Sequence, residues 1–204
     1  MRFHNKFKDY ATICSFGIFA GVVARLTDFL SMNTLWSFPT IATLYGFWII
    51  TVILIIWRST SHLTAGINTF FYLLCATVAF FGLQYILGKF VPHYPIKAFP
   101  FRRFLYYCVG SLICGLIGAI LYFWNHKGWY AAILLAAPLG VLTAESIHDL
   151  ILLQRYHTHL FQLIFNAGFC LYLGIQFRKM TKFKELYTVS VIAVTALCYY
   201  FLFQ

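Results

Sequence analysis

Long apolar runs constrain this sequence more than any other feature. A helix needs about 20 mostly apolar residues to cross the hydrocarbon core of a bilayer. Such runs recur along the whole chain and predict spans at residues 11–30, 39–57, 64–87, 104–124, 129–153, 159–177 and 186–203. They are apolar on every side, unlike the alternating strands of a membrane barrel. We therefore predict an all-α fold, a polytopic transmembrane helical bundle of about seven spans, with six as the alternative.

The composition excludes a soluble enzyme. Hydrophobic residues make up 62% of the 204 residues and charged residues 10%, against roughly 45–50% and about 25% in an average soluble domain. The 15 lysines and arginines lie in short gaps between apolar runs rather than on a soluble basic face, so we expect no nucleic acid as a partner. No linker or long repeat is visible, and we predict one integral membrane domain, residues 1–204, surrounded by the lipid bilayer.

The basic residues also set the expected orientation, because cytoplasmic loops carry an excess of lysine and arginine. Three of them precede the first span and none lies in the loop directly after it. This difference predicts a retained first span with a cytoplasmic N-terminus and, with seven spans, an outer C-terminus. The third loop, residues 88–103, breaks the rule with Lys89, Lys97, Arg102 and Arg103. Either the topology is wrong by one span, or that loop needs cations on the outer side.

Ionisable groups inside the spans are costly and carry the best functional information. Arg25 and Asp28 are three residues apart, and Glu145, His148 and Asp149 are spaced by three and four, so each set shares a helix face. In the predicted topology both sets lie in the outer half of the membrane. We expect either one outward-facing polar pocket, with Arg25 paired to Glu145 or Asp149, or an ion-pair cluster that only fixes helix register.

A stripe of small residues marks the first span. Gly17, Ala20, Gly21 and Ala24 form two interleaved small-x-x-x-small pairs, which let helix backbones approach closely. The stripe is expected either to pack within the chain or to dock a partner membrane subunit.

The familiar catalytic motifs are missing. The sequence contains no zinc-hydrolase motif, no serine-hydrolase elbow and no phosphate-binding loop. We therefore expect no catalytic residues, no metal and no cofactor, and any ATP hydrolysis has to come from a separate ATPase. The six cysteines fall inside the spans and are interpreted as packing residues, and Asn68, Gln84, Asn166 and Gln176 as polar contacts between helices.

Several short segments carry a resemblance to known families. They are residues 17–28, 33–43, 46–48, 84–88, 114–118 and 138–145. Together they resemble an uncharacterised family, defined as a domain of unknown function, of small bacterial polytopic membrane proteins. This resemblance implies a multi-pass protein of the bacterial cytoplasmic (plasma) membrane and brings no activity with it.

A second likeness is to the substrate-capture subunits of energy-coupling-factor vitamin transporters. Those subunits are of similar size, capture substrate from outside and carry an A-x-x-x-A motif in the first helix that docks a partner, which Ala20 and Ala24 match. This sequence departs from that family in the number of spans, seven rather than six.

Three functional hypotheses follow. The first is a transport or ligand-binding protein whose outward-facing pocket takes a small or amphipathic, possibly anionic ligand. In this hypothesis Arg25, Asp28, Glu145, His148 and Asp149 line or gate the pocket, and Lys97, Arg102 and Arg103 attract the ligand or a lipid headgroup. The second is an accessory or immunity-type protein that binds a partner protein. The third, an enzyme acting on lipid, ranks last because no nucleophile or metal motif supports it.

Overall fold

The chain folds almost entirely into helices. A computed structural model describes residues 3, 7–30, 34–42, 44–91 and 98–203. The helices are α1 (Phe7–Thr27), α2 (Tyr45–Arg58), α3 (His62–Phe90), α4 (Phe101–Leu121), α5 (Trp129–Tyr156), α6 (Leu160–Met180) and α7 (Lys184–Phe203), with 3-10 helices at Phe38–Ala42 and Tyr122–Asn125. Among the described residues the extended pairing is one isolated bridge between Phe3 and Ser59. The prediction of an all-α helical bundle is confirmed.

Six of these helices are long and apolar enough to cross a membrane. They are Lys8–Thr27, His62–Phe90, Phe101–Asn125, Trp129–Tyr156, Leu160–Met180 and Lys184–Phe203. This pattern is compatible with a multi-pass membrane protein.

The second predicted span is built from two pieces. The 3-10 helix Phe38–Ala42 comes first, and the 14-residue α2 begins at Tyr45. The apolar run gives no sign of this break, because hydropathy does not register backbone conformation. At about 1.5 Å per residue α2 rises about 21 Å, and five 3-10 residues at about 2.0 Å add about 10 Å. End to end, the two pieces match a hydrocarbon core of about 30 Å.

The chain divides into two compact units. Unit 1 comprises Met1–Phe29 and Leu54–Tyr122, and unit 2 comprises Leu30–Ile53 and Phe123–Gln204. The single integral membrane domain stays a prediction.

Small residues bring the helices of unit 1 together. The α-carbons of Gly17 and Gly21 in α1 lie so close to α3 that an added Cβ would overlap the carbonyl oxygens of Tyr72 and Ala76. A Cβ on Gly118 of α4 would in turn lie 2.8 Å from a threonine hydroxyl of α3. Since lipid is as apolar as the side chains, this close packing supplies the attraction between helices.

Unit 2 is organised around α5, which is the most buried of the six long helices. It packs against α6 on one side and α7 on the other. At Gly140 the backbone of α5 meets α7, where Thr195 donates a hydrogen bond to the Gly140 carbonyl over 3.3 Å. A Cβ at Gly140 would lie 2.5 Å from a methyl group of Val194. The charged second half of α5 is therefore held inside the unit.

The close approach at Gly21 predicts a site-specific stability loss. We expect Gly21→Ala to lower the free energy of unfolding by about 1–3 kcal/mol, as overpacked sites do, because the new methyl group meets the Ala76 backbone. Gly82→Ala is the matched control, since no described heavy atom lies within 4 Å of a Cβ there. Thermal unfolding of the purified proteins in detergent measures the difference. Equal stability of the two variants would contradict the packing described for α1 and α3.

The second predicted span, which consists of the 3-10 helix and α2, determines on which side of the membrane each terminus lies. If the segment crosses the bilayer, the chain has seven crossings and its termini lie on opposite faces, with the N-terminus in the cytoplasm. Reporter enzymes fused to each end, active on only one side of the membrane, give the answer. Two reporters active on the same side would show that the segment does not cross.

Candidate functional site

The carboxylate of Glu145 lies at the N-terminus of α2. Its Oε1 accepts a hydrogen bond from the backbone N–H of Tyr45 at 2.6 Å. The first N–H groups of a helix have no partner within the helix, and the helix dipole favours a negative group there. Glu145 is itself fully buried, at 0% exposure. A side chain one hundred residues away in sequence thus caps the helix that follows the break.

Asp149 lies one turn further along α5 and is held by α6. Its Oδ2 accepts a hydrogen bond from the Nδ2 of Asn166 at 3.0 Å. The Asn166 Oδ1 therefore points the other way, towards Gly46 in the first turn of α2. A Cβ at Gly46 would overlap this oxygen and would lie 2.7 Å from the Glu145 Oε2. The Asn166 amide thus bonds Asp149 and lies with the Glu145 carboxyl group against Gly46, where only glycine fits.

Gln162, one turn before Asn166 on α6, holds the 3-10 helix. Its Nε2 donates to the Ser37 carbonyl at 2.7 Å and to the Thr40 hydroxyl at 2.6 Å. Ser37 is buried, has a positive φ of 42°, and its hydroxyl accepts from the His159 N–H at 3.3 Å. The segment before α2 is thus tied to the start of α6, which fixes the direction from which the chain enters α2.

These side chains form one buried group, which we call the unit-2 polar cluster. Its members are Ser37, Thr40, Glu145, Asp149, Gln162 and Asn166, none more than 7% exposed. Three buried oxygens in the cluster, Glu145 Oε2, Asp149 Oδ1 and Gln162 Oε1, have no hydrogen-bond partner among the described residues. Within the described part of unit 2, neither carboxylate has a lysine or arginine at ion-pair distance. The cluster therefore presents acceptors without matching donors, which suits a positively charged species.

His148 is separated from the two acids on its helix. It is half-buried, and its ring stacks on Phe203 near the end of α7 at a centroid distance of 4.7 Å. In the loop after α5, burial lowers the pKa of His159 below its ordinary value, and the nearby His148 acts in the same direction. The two imidazole rings, one on α5 and one in the loop after it, take no part in the hydrogen bonds described for the polar cluster.

Arg25 and Asp28 pair with each other in unit 1. The Arg25 Nη1 donates to the Asp28 Oδ2 at 2.5 Å, and the guanidinium lies 5.2 Å from the ring centre of Phe80. Burial raises the pKa of Asp28, and the charge of Arg25 opposes this shift. The hydrogen bond joins two residues three apart in sequence, at the end of α1.

The basic residues of the third loop are only partly described. Arg102 and Arg103 lie exposed in the first turn of α4, and the Arg102 Nε donates to the Tyr106 hydroxyl at 3.3 Å. Lys97 lies outside the described residues. The expectation that these cations attract an anionic ligand stays a prediction.

The small-residue stripe of α1 faces the interior of unit 1. All four of its residues, Gly17, Ala20, Gly21 and Ala24, are buried. Because α3 covers Gly17 and Gly21, a partner would have to displace α3 to dock there. Docking of a partner subunit on this stripe stays a prediction.

The sequence pattern missed the partners of the two acids. Gln162 and Asn166 are spaced by four on α6, as Glu145 and Asp149 are on α5. Polar residues spaced by four in two consecutive spans indicate that the two helices contact each other through these side chains. From the sequence, Asn166 is predicted only to contact a neighbouring helix, and no prediction concerns Gln162. The role of Gly46 depends on a contact between distant segments, which no local pattern reveals.

In the parts of the chain that the structure describes, no group of three His, Cys, Asp or Glu side chains is placed to hold a metal ion. Comparison with protein-family models, curated proteins and solved structures finds no match for this chain. The family resemblances stay predictions, and any function has to be argued from the site itself.

The tight fit at Gly46 is open to a direct test. We expect Gly46→Ala to force the Asn166 amide and the Glu145 carboxylate away from α2, weakening the bond to the Tyr45 N–H. Deuterium exchange of the first turn of α2, followed by mass spectrometry, should then become faster. Alanine otherwise favours a helix by about 1 kcal/mol over glycine, so slower exchange would contradict the clash. Gly168→Ala is the matched control, as no described heavy atom lies within 4 Å of a Cβ there.

Proposed function

We propose that this chain is a multi-pass membrane protein of the transport and ligand-binding class, with the unit-2 polar cluster as its ligand site. One observation carries the proposal. Two carboxyl groups, those of Glu145 and Asp149, are fully buried, and the first of them caps the start of α2. Within the described part of unit 2, no lysine or arginine lies at ion-pair distance from either. Intramembrane ionisable groups of this kind typically mark ion or substrate pathways.

The broken second segment supports the same class of function. Transporters commonly hold substrates and coupling ions at discontinuous helices, where helix ends and unwound backbone offer polar groups at membrane depth. Here the 3-10 helix ends at Ala42 and α2 begins at Tyr45, whose N–H donates to Glu145. A continuous helix leaves no backbone N–H or C=O group without a partner at membrane depth. Interrupting the helix therefore costs free energy, and a functional site at the interruption accounts for that cost.

The chemistry of the cluster favours a cation. Burying two ionised carboxylates without a counter-charge costs several kcal/mol per ion, and the three oxygens without partners all accept. We propose a small or amphipathic ligand that carries positive charge, or one that moves together with a small cation. An anionic ligand remains a proposal for the basic third loop, where Arg102 and Arg103 are exposed.

Localisation and sidedness belong to the same proposal. We place the protein in the bacterial cytoplasmic membrane with its N-terminus inside. With seven crossings α5 runs from the cytoplasmic to the outer side, and its charged second half lies in the outer leaflet. The site then opens outwards.

Partner binding is the second candidate. A partner membrane subunit, expected from the A-x-x-x-A motif, or a separate ATPase requires a docking surface other than the covered stripe of α1. The least buried of the long helices, α7, is available for it. Native mass spectrometry of the purified protein separates the candidates, because a stoichiometric protein companion supports an accessory role and a bound small molecule supports ligand capture.

Charge displacement tests the proposed site. We expect proteoliposomes on a solid-supported membrane to give a transient current when the concentration of protons or Na⁺ is raised suddenly. In the double variant with Glu145→Gln and Asp149→Asn the current should fall to the level of protein-free liposomes, because the cluster no longer attracts a cation.

The control is Glu185→Gln, which removes an exposed carboxylate in the first turn of α7. Its current should equal that of the unchanged protein. If the double variant keeps the full current, or if the unchanged protein responds to neither ion, the proposed function is wrong.

A further inference from the structure

The two carboxylate oxygens of Glu145 have different surroundings. Oε1 accepts the Tyr45 N–H at 2.6 Å. Oε2 lies against Gly46, is fully buried and has no hydrogen-bond partner among the described residues. The backbone N–H of Gly46 also interacts with this carboxyl group, but no side chain of the described residues donates to Oε2. A buried carboxylate oxygen without a full hydrogen bond costs the desolvation of that atom.

The atom that faces this oxygen is an acceptor. The Asn166 Nδ2 donates to the Asp149 Oδ2 at 3.0 Å, which turns the amide oxygen of the same side chain towards Gly46. This Oδ1 and the Glu145 Oε2 both lie close to one position, the one that a Cβ on Gly46 would take. Two acceptor oxygens that converge in a buried place repel each other unless a proton or a cation lies between them.

A proton fits this place better than a metal cation. Hard metal ions such as Ca²⁺ and Mg²⁺ take six or more oxygen ligands, and the described chain offers no third acidic or histidine side chain here. A proton needs only the two oxygens that are present. Glu145 and Asp149 are also one turn apart on α5 and interact as like charges, which disfavours ionisation of both.

We infer that Glu145 carries a proton on Oε2, donates it to the Asn166 Oδ1, and exchanges this proton as the coupling ion of the transport site, an inference that rests on the proposed function. Asp149 remains ionised and accepts from the Asn166 Nδ2. When the proton leaves to water, its bonding electrons stay on Oε2 and the cluster holds two negative charges one turn apart. Release is therefore favourable only when water or a cationic ligand enters the cluster.

The other titratable groups around Glu145 come from three helices. On α5 they are Asp149 and His148, the latter turned towards Phe203 of α7. On α6 it is Cys170, which interacts with Glu145 and contacts the hydroxyls of Thr143 and Ser146. On α7 it is Tyr187, which faces Cys170. Among these groups only His148 becomes positively charged, and it does not touch the Glu145 carboxyl group in the hydrogen bonds described for unit 2.

Infrared spectroscopy tests where the proton lies. The chain has only five carboxyl side chains, Asp9, Asp28, Glu145, Asp149 and Glu185, so the carbonyl band of a protonated acid can be assigned by substitution. In the full-length protein in lipid nanodiscs at neutral pH, we expect one such band. Glu145→Gln should remove it, and Glu185→Gln should leave it unchanged. Absence of the band, or its loss only in Asp149→Asn, overturns the inference.

Stability provides a second, independent measurement. Glutamine resembles a protonated glutamic acid, because its Oε1 can accept from Tyr45 while its Nε2 donates to the Asn166 Oδ1. We therefore expect Glu145→Gln to unfold at the same temperature as the unchanged protein at neutral pH. Glu145→Leu, which keeps the volume but removes the helix cap, should unfold at a lower temperature. If the glutamine variant is as unstable as the leucine variant, Glu145 is ionised and the inference is wrong.

Sodium separates this inference from the proposed function. At constant pH we expect added Na⁺ to change neither the carbonyl band nor the unfolding temperature, and the current described above to follow the proton jump alone. A current that is driven by Na⁺ and lost in the double variant would support the proposed function but contradict the inference that the coupling ion is a proton. If Glu145 is protonated but the protein gives no current, the assignment of the proton to Glu145 stands and the proposed transport function is wrong.

Discussion

The bond from the Tyr45 N–H to Glu145 is the interaction on which unit 2 depends. Inside a membrane every backbone polar group must find a partner within the protein, because the hydrocarbon offers none. A break in the second segment exposes the first N–H groups of α2. The carboxylate of Glu145 satisfies one of them at 2.6 Å, and this requires α5 to lie with its charged half against α2. The position of Asp149 follows from that of Glu145.

The two units solve the packing problem by different means. In unit 1, backbone meets backbone at glycines such as Gly21, so attraction comes from close contact over a small area. In unit 2, α5 meets α7 in the same way at Gly140, but buried hydrogen bonds join α6 to α5 at Asp149 and to the 3-10 helix at Thr40. Such bonds specify a geometry, because a partly satisfied polar network in a low dielectric is worse than none. The oxygens left without donors are therefore informative about function.

Much of the fold followed from the sequence. Apolar runs of about 20 residues fix helices in a bilayer, and the predicted spans and the observed helices agree in number and order. The spacing by four placed Glu145 and Asp149 together on one face of α5, and both are buried. His148 shares their spacing but stacks on Phe203 of α7, because a stripe wide enough for three residues on a helix meets more than one neighbour.

The sequence by itself determined that this chain is helical, apolar and able to cross a membrane several times, and that a few charged residues lie within its spans. Hydropathy and helical periodicity are local properties, so the residues within a run carry that information. Only the packing of distant segments shows that α2 begins at Tyr45 with Glu145 as its cap, and that Asn166 bonds Asp149 beside Gly46. These contacts link segments up to about 120 residues apart, and no local pattern encodes which distant backbone group a buried carboxylate meets.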